Sequence, residues 1–185
     1  PDPFIVAPAF ETEGLRVAAF IERYCRHSKG QWAGRRIALE AWQKWALNEI
    51  FRTDPETGFR YWRQVLWMIP RKNAKSTIIS ACGHYLLGFD GEGGPEVFSA
   101  AWGAEQAGVT MDAAKAMRQM SPTLRKRTRE YAHEIRSIHN RGTWKRVSKL
   151  ADMQQGTNPH AALIDEYHVH KRSDLYDAFK RGTQA

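Results

Sequence analysis

Residues 65–77 read Val65-Leu66-Trp67-Met68-Ile69-Pro70-Arg71-Lys72-Asn73-Ala74-Lys75-Ser76-Thr77. Val65 to Ile69 are apolar without alternation, the pattern of a strand buried on both faces, and the strand is expected to begin at Arg60. Pro70 stops it, and Lys75 to Leu87 predicts a helix closed by Gly88. A loop that holds phosphate needs backbone N–H groups curled at a helix N-terminus, where the dipole favours anions. It also needs a Lys for the β- and γ-phosphates and a following hydroxyl for Mg²⁺. Lys75 and Ser76 occupy those places. The usual GxxxxGK[ST] pattern has Gly where this chain has Ile69 and Ala74. Ala74 is a tolerable replacement only if its φ stays negative. Alone, such a loop reads equally as a solvated turn.

A second feature lies 90 residues beyond Lys75, in Ala161-Ala162-Leu163-Ile164-Asp165-Glu166. An apolar strand ending in two acids places carboxylates at the C-terminal edge of a sheet, where open α/β sheets bind ligands. Asp165 is the candidate Mg²⁺ residue and Glu166 the candidate general base toward water. An isolated acid pair would merely solubilise a strand end; the pair and the loop together, separated by helices and strands, make the stronger case. The third feature is Trp42-Gln43 in Leu39-Glu40-Ala41-Trp42-Gln43. A glutamine amide both donates and accepts, which suits the edge of adenine. The alternative is an amphipathic helix over Glu40 to Phe51, with Trp42, Trp45 and Ile50 in its core face.

Around these features, helical spacing covers Leu15 to Cys25 and about Ala104 to Met120, and Asp54 to Gly58 forms a turn. Ser121-Pro122 starts a basic helical stretch. Glu96 to Ala101 reads as a strand, and Ile135 to His139 with Thr143 to Val147 as a hairpin about Asn140-Arg141-Gly142. Ser173 caps a last helix. Strands alternating with helices imply an α/β layer fold with a mainly parallel sheet. The 185 residues are 42% apolar, enough for a buried core, and the formal charge is +8. No apolar run approaches a membrane span and no signal pattern opens the chain. Cys25 and Cys82 stand far apart, which excludes a disulfide framework or a cysteine zinc site. Lys115 to Lys149 holds eleven Lys/Arg against two acids, leaving 17 cations and 18 acids elsewhere. That asymmetry predicts a polyanion partner, with Arg125, Lys126 and Arg127 as its candidate contacts; a solvated helix face is the alternative.

These residues together resemble the large terminase subunit of tailed bacteriophages, the ATP-driven DNA-packaging motor. The family's R-x-x-G-K-[ST] loop is similar to Arg71-Lys72-Asn73-Ala74-Lys75-Ser76, with Ala for Gly. Its Trp-Gln is similar to Trp42-Gln43, and its Gly-x-Asn-Pro and Asp-Glu-x-His segments to Gly156-Thr157-Asn158-Pro159 and Asp165 to His168. The resemblance implies a P-loop NTPase fold of the ASCE type, its mainly parallel sheet flanked by helices. It implies an N-terminal arm and helix over 1–38 and the ATPase domain over 39–185, a piece of something longer. ATP and Mg²⁺ are the implied cofactors. Trp42, Gln43 and residues Arg71 to Thr77 bind ATP, Ser76 and Asp165 hold Mg²⁺, and Lys75, Arg71 and Glu166 are catalytic. Arg71 reaches the γ-phosphate. The implied partners are double-stranded DNA, a portal protein, a small terminase subunit and further copies in a ring, in the host cytoplasm and without a membrane. No nuclease activity is expected of these residues. A DExH-type helicase fragment, and a DNA-binding domain without turnover, are the competing readings. His168 and His170 are read as non-ligands, because no Cys or third spaced His accompanies them. Arg141, Arg146 and Arg172 all stay open as an arginine supplied to a neighbouring subunit.

Overall fold

The computed structural model describes residues 8–100, 104–147, 158–165 and 177–180. Two helices come first, α1 (Gly14–Tyr24) and α2 (Ala41–Ile50). Val17, Ala18, Phe20 and Ile21 line one buried face of α1, at the three- and four-residue spacing of a helix. The two helices meet closely at their ends. A Cβ on Gly14 would lie 2.4 Å from Asn48 Cα, and Thr12 Oγ1 accepts the Gly14 N–H while donating to Asn48 O. In α2 the buried side chains are Gln43, Ala46, Leu47 and Asn48, whereas Trp45 is half-exposed. Trp45 is therefore not the core residue that the amphipathic reading expected.

Helix α3 (Lys75–Gly88) is buried almost all round from Ser80 to Leu87. It leads into β1 (Glu96–Ala100), α4 (Ala104–Met120) and α5 (Pro122–Arg127), then β2 (Thr128–Glu130), β3 (Glu134–Ser137), β4 (Thr143–Val147) and β5 (Pro159–Ile164). The Ser121 side chain accepts the Leu124 N–H and starts α5, as the Ser-Pro pair predicts. Gly88 does not close α3 in a left-handed cap. It is the last helical residue, its φ is not positive, and the chain leaves through Phe89.

The sheet order is β2-β3-β4-β1-β5. The inner pairings of β1 with β4 and β5 are parallel, and the β2-β3-β4 meander extends the sheet antiparallel. Alternation along the strands divides the core. Val97, Trp144, Ala161 and Leu163 face the helices, while Phe98, Ala100, Val147, Ala162 and Ile164 face the other side with Phe179. Both faces of the parallel part are thus covered, as parallel sheets require. At the far end from Asp165, Asp90 is clamped between Arg60 (2.5 Å) and His160 (2.6 Å). Burial works to raise the Asp90 carboxyl, but these partners outweigh it and hold it below its ordinary value.

One expectation fails outright. Residues 60–69 form no strand: Arg60 makes a single bridge to Thr53, and the stretch beyond it has no ladder partner among the described residues. Leu66 and Met68 are 70% and 81% exposed. The run has strand composition, but burial on both faces needs neighbouring strands, and the described sheet ends at β5. Only Trp67 packs inward, against the main core and 6.2 Å from Trp42.

The helix-sheet spacing is set at one point. A Cβ on Gly83 would fall 2.3 Å from Cη2 of Trp144, whose indole N–H donates to Ser99 Oγ at 2.8 Å. Gly83→Ala should therefore destabilise the fold by about 1–3 kcal/mol, although alanine is the better helix former by about 1 kcal/mol. Urea denaturation measures it, and a gain in stability would show that the indole can yield. Next to it, His84 is fully buried with Nε2 against Ala114 O, and burial pushes its imidazole down to about 4. The unfolded chain takes up this proton near pH 6.5, so the contribution is whole above that pH and is lost as pH falls toward 4. A His84→Gln variant should lose that part of the acid sensitivity in melts across pH 4–7.

Candidate nucleotide-binding site

Pro70 ends the extended run and the chain turns through Arg71 to Ala74. Asn73 Nδ2 donates to Pro70 O (3.2 Å) and Arg71 O (3.4 Å), folding the loop back on itself. Lys72 has φ 69° and Ala74 has φ 58°, with Asn73 between them outside the positive region. Left-handed residues interleaved with ordinary ones bring successive N–H groups to a concave side, the geometry of an anion nest. Ala74 therefore does not keep the negative φ that would make it a free replacement for glycine. It is the N-cap of α3, and its left-handed turn lets the loop enter the helix with the first N–H groups facing the loop. Each such L-residue costs roughly 1–2 kcal/mol.

Helix α3 and strand β5 meet across this loop. Ser76 Oγ donates to Asp165 Oδ2 at 2.7 Å, and Lys75 Nζ lies 3.6 Å from Asp165 Oδ1. Asp165 is 5% exposed. It follows directly on β5, whose Ile164 is in register with Ala100 of β1, so the carboxylate stands at the C-terminal edge of parallel strands. A buried carboxylate, an ammonium, a hydroxyl and a helix N-terminus converge from distant parts of the chain. Such a set can neutralise a phosphate chain and offers two hard oxygen donors for a cation.

The remaining candidates are placed unevenly. Arg71 and Lys72 are exposed at the rim, and Thr77 sits half-buried in the first turn of α3. Trp42 is half-buried and leans on Trp67, which ties α2 to the segment entering the loop. Gln43 is buried, and its Oε1 accepts the Glu40 N–H at 3.0 Å, closing the start of α2. Its acceptor is engaged there, not presented freely. Glu166, His168, His170, Arg172, Gly156 and Thr157 lie outside the described residues. Arg141 is exposed in the hairpin turn with φ 62°. Reading the sequence missed a polar seam below the site. Ser80 Oγ lies 2.7 Å from Ser76 O and 3.1 Å from Thr110 O, and His84 continues it one turn on. The signal was present as the four-residue spacing Ser76, Ser80, His84.

A family model described as "Terminase large subunit, ATPase domain" matches residues 41–185. The chain belongs to this terminase family. The terminase large subunit of Enterobacteria phage HK97 is 26% identical over 162 residues, covering 84% of this chain and 30% of that protein. The crystal structure of the HK97 bacteriophage large terminase superposes with a TM-score of 0.77 at 24% identity, over 94% of this chain and 36% of that one. The chain thus spans about a third of these relatives. The shared fold is the P-loop NTPase arrangement, a mixed sheet flanked by helices. Membership in the terminase family displaces the helicase-fragment reading.

The strain at Ala74 gives a direct test of the loop geometry. Ala74→Gly should stabilise this terminase domain by up to about 1 kcal/mol, because glycine takes positive φ without the Cβ penalty. A lowered melting temperature would mean that Ala74 is not left-handed in solution.

Proposed function

We propose that the chain is the ATP-hydrolysing motor domain of a viral large terminase, driving double-stranded DNA into a procapsid. The observation that supports this best is the Ser76–Asp165 hydrogen bond beside Lys75, at the N-terminus of α3. Family membership supports an ATPase domain over 41–185, and we take 39–185 as that domain with 1–38 as an arm and helix before it. Lys75 and Arg71 supply positive charge to the phosphates, Lys75 at the helix start and Arg71 from the rim. Lys72, Asn73, Ala74, Ser76 and Thr77 present backbone N–H groups to the chain of phosphates. Trp42 and Gln43 flank the adenine side of the loop.

The donor set fits Mg²⁺. Ser76 Oγ and Asp165 Oδ2 are hard oxygens 2.7 Å apart. No group of three or more His, Cys, Asp or Glu builds an all-protein cage among the described residues. Mg²⁺ takes few protein ligands and keeps waters and phosphate oxygens for the rest. Bound there, it would neutralise charge developing on the phosphates. Asp165, directly or through water, and Ser76 would be the residues that hold it. Glu166, next in the chain, orients and deprotonates the attacking water. Among the described residues no group of three or more acids or other ligands offers a site for two-metal cleavage, and we propose no nuclease activity for them.

The DNA part of the proposal draws on α5. Arg125 and Lys126 are exposed, with Arg127 half-buried beside them. Other cations of the basic segment are engaged internally: Arg118 with Thr128 and Glu130, Lys115 with Ala132 O, Arg136 with Glu134. The polyanion reading is therefore narrowed to α5 with Arg129 and to the hairpin cations Arg141, Lys145 and Arg146, and of these α5 carries the continuous run that we take for DNA. Portal protein, small terminase subunit and further copies in a ring are the partners that such a motor needs, in the host cytoplasm. No helix among the described residues is long and apolar enough to cross a membrane.

Lys75→Ala should lower ATP hydrolysis by at least about 100-fold, since a charge that tracks the reacting phosphates is removed. Glu166→Gln should keep Mg-ATP affinity and lose turnover. Phosphate release and nucleotide titration separate the two. Near-normal hydrolysis by a folded Lys75→Ala variant would sink the loop assignment, and lost affinity in Glu166→Gln would move that residue from base to ligand.

A further inference from the structure

A second cationic element lies far from α5 in sequence. Between Glu22 and Glu40 the chain carries Arg23, Arg26, Lys29, Arg35 and Arg36 and no acid. Residues 25–37 form a pinned loop. His27 N–H donates to Arg35 O, Gly34 N–H to His27 O and Ile37 N–H to Cys25 O, with buried Cys25 and Ile37 anchoring its base. A single 3₁₀ turn, Gly30–Trp32, makes the tip. Gly30 and Gly34 have φ of 72° and 80°, and a Cβ on either would meet nothing within 4 Å. The tip therefore stands clear of the body while its backbone is fixed.

The side chains of this loop are arranged at a cost to folding. Arg26 and Arg36 face each other across an antiparallel bridge, a like-charge pairing that destabilises strands. No carboxylate among the described residues pairs with Arg23, Arg26, Lys29, Arg35 or Arg36. Trp32 is 50% exposed at the tip, with the Arg35 guanidinium 5.1 Å from its ring centre. Arg26 donates to Gly34 O at 3.1 Å, and the other cations, without a carboxylate partner among the described residues, together with an exposed indole on a rigid loop suit a polyanion with flat surfaces.

The end of α1 that leads into this loop joins the α5 surface. The Arg127 guanidinium lies 4.8 Å over the Phe89 ring, Phe89 stacks on Tyr24 at 6.0 Å, and Arg23 lies 5.4 Å over Tyr24. Arg16 donates to Phe89 O at 2.9 Å on the same side. Two basic segments remote from each other in the chain are thereby connected through one guanidinium–aromatic stack. We infer that the loop Arg26–Arg36 and the α5 cations form one composite track for the phosphate backbone of duplex DNA. The inference rests on the DNA reading above and adds a second grip to it. Its contacts are to phosphates and sugars, so it holds any sequence.

The test is a titration of the chain with a fluorescent 30-base-pair duplex at several salt concentrations. Three proteins are compared: wild type, Lys29/Arg35/Arg36→Gln, and Arg125/Lys126/Arg127→Gln, each checked for a cooperative melt at a temperature no lower than that of wild type. Each variant should flatten the log–log salt slope by about 0.9 for every phosphate that it no longer neutralises. Duplex should also perturb tryptophan emission less in Trp32→Phe than in wild type. An unchanged slope for the loop variant, with a flattened one for the α5 variant, would overturn the composite track and leave the DNA reading standing. No duplex binding by wild type at low salt would end both. Emission that responds to poly-glutamate but not to duplex would assign the loop to an acidic protein partner and overturn the inference equally.

Discussion

The contact of Gly83 with the Trp144 indole fixes how closely α3 lies on the sheet. The helix could not sit lower, and without a Cβ at that position it need not sit higher. Because Trp144 is held by Ser99 of the neighbouring strand, the indole cannot swing aside without breaking a buried hydrogen bond. Everything at the helix N-terminus inherits that spacing. Ser76 reaches Asp165, a residue of a different layer, only because the helix axis and the end of β5 are set at this separation. The polar seam through Ser80 and His84 holds α4 against the same helix, so α3, α4 and the sheet are positioned by one residue without a side chain.

Much of this arrangement was legible in the chain. Helix α4 begins and ends where the residues say, the Ser-Pro signal starts α5, and the burial of β1 on both faces follows from its largely apolar composition. The pairing of Lys75-Ser76 with Asp165 was legible as well, because chemistry restricts what a basic loop and a distant acid can do together. What failed did so for physical reasons. Val65 to Ile69 have the composition of a buried strand, but a strand is a relation between segments, and composition carries no record of the partner. Gln43 also closes the start of α2, a use of its oxygen by the Glu40 N–H that nothing in its neighbours announces.

The basic loop of residues 23–36 went unread for another reason. Across residues 1–50 seven Lys/Arg stand against six acids, so a sum over the N-terminal region conceals the loop's charge. Folding separates what the sum combines: Glu13 turns to Arg60 and Tyr85, and Glu22 to Lys44 and the Leu39 N–H. The acids are used at helix ends and the cations are left outside. Net charge per segment describes a surface only after the internally engaged groups have been removed from it.

The ion pair between Lys75 and Asp165 has a consequence for the cycle of an anion-binding site. With no anion present, the ammonium and the Ser76 hydroxyl each have a carboxylate oxygen to rest against. The pocket is then electrically quiet, and stray anions of low charge gain little by entering. A polyphosphate must outcompete Asp165 for both groups at once, which a highly charged ligand accompanied by its own cation can do and a single phosphate cannot do as well. The same carboxylate that the ligand displaces takes those groups back when it leaves. In the proposed site Asp165 would thus act as a latch as well as a ligand, biasing the loop against small anions and easing the departure of spent ones.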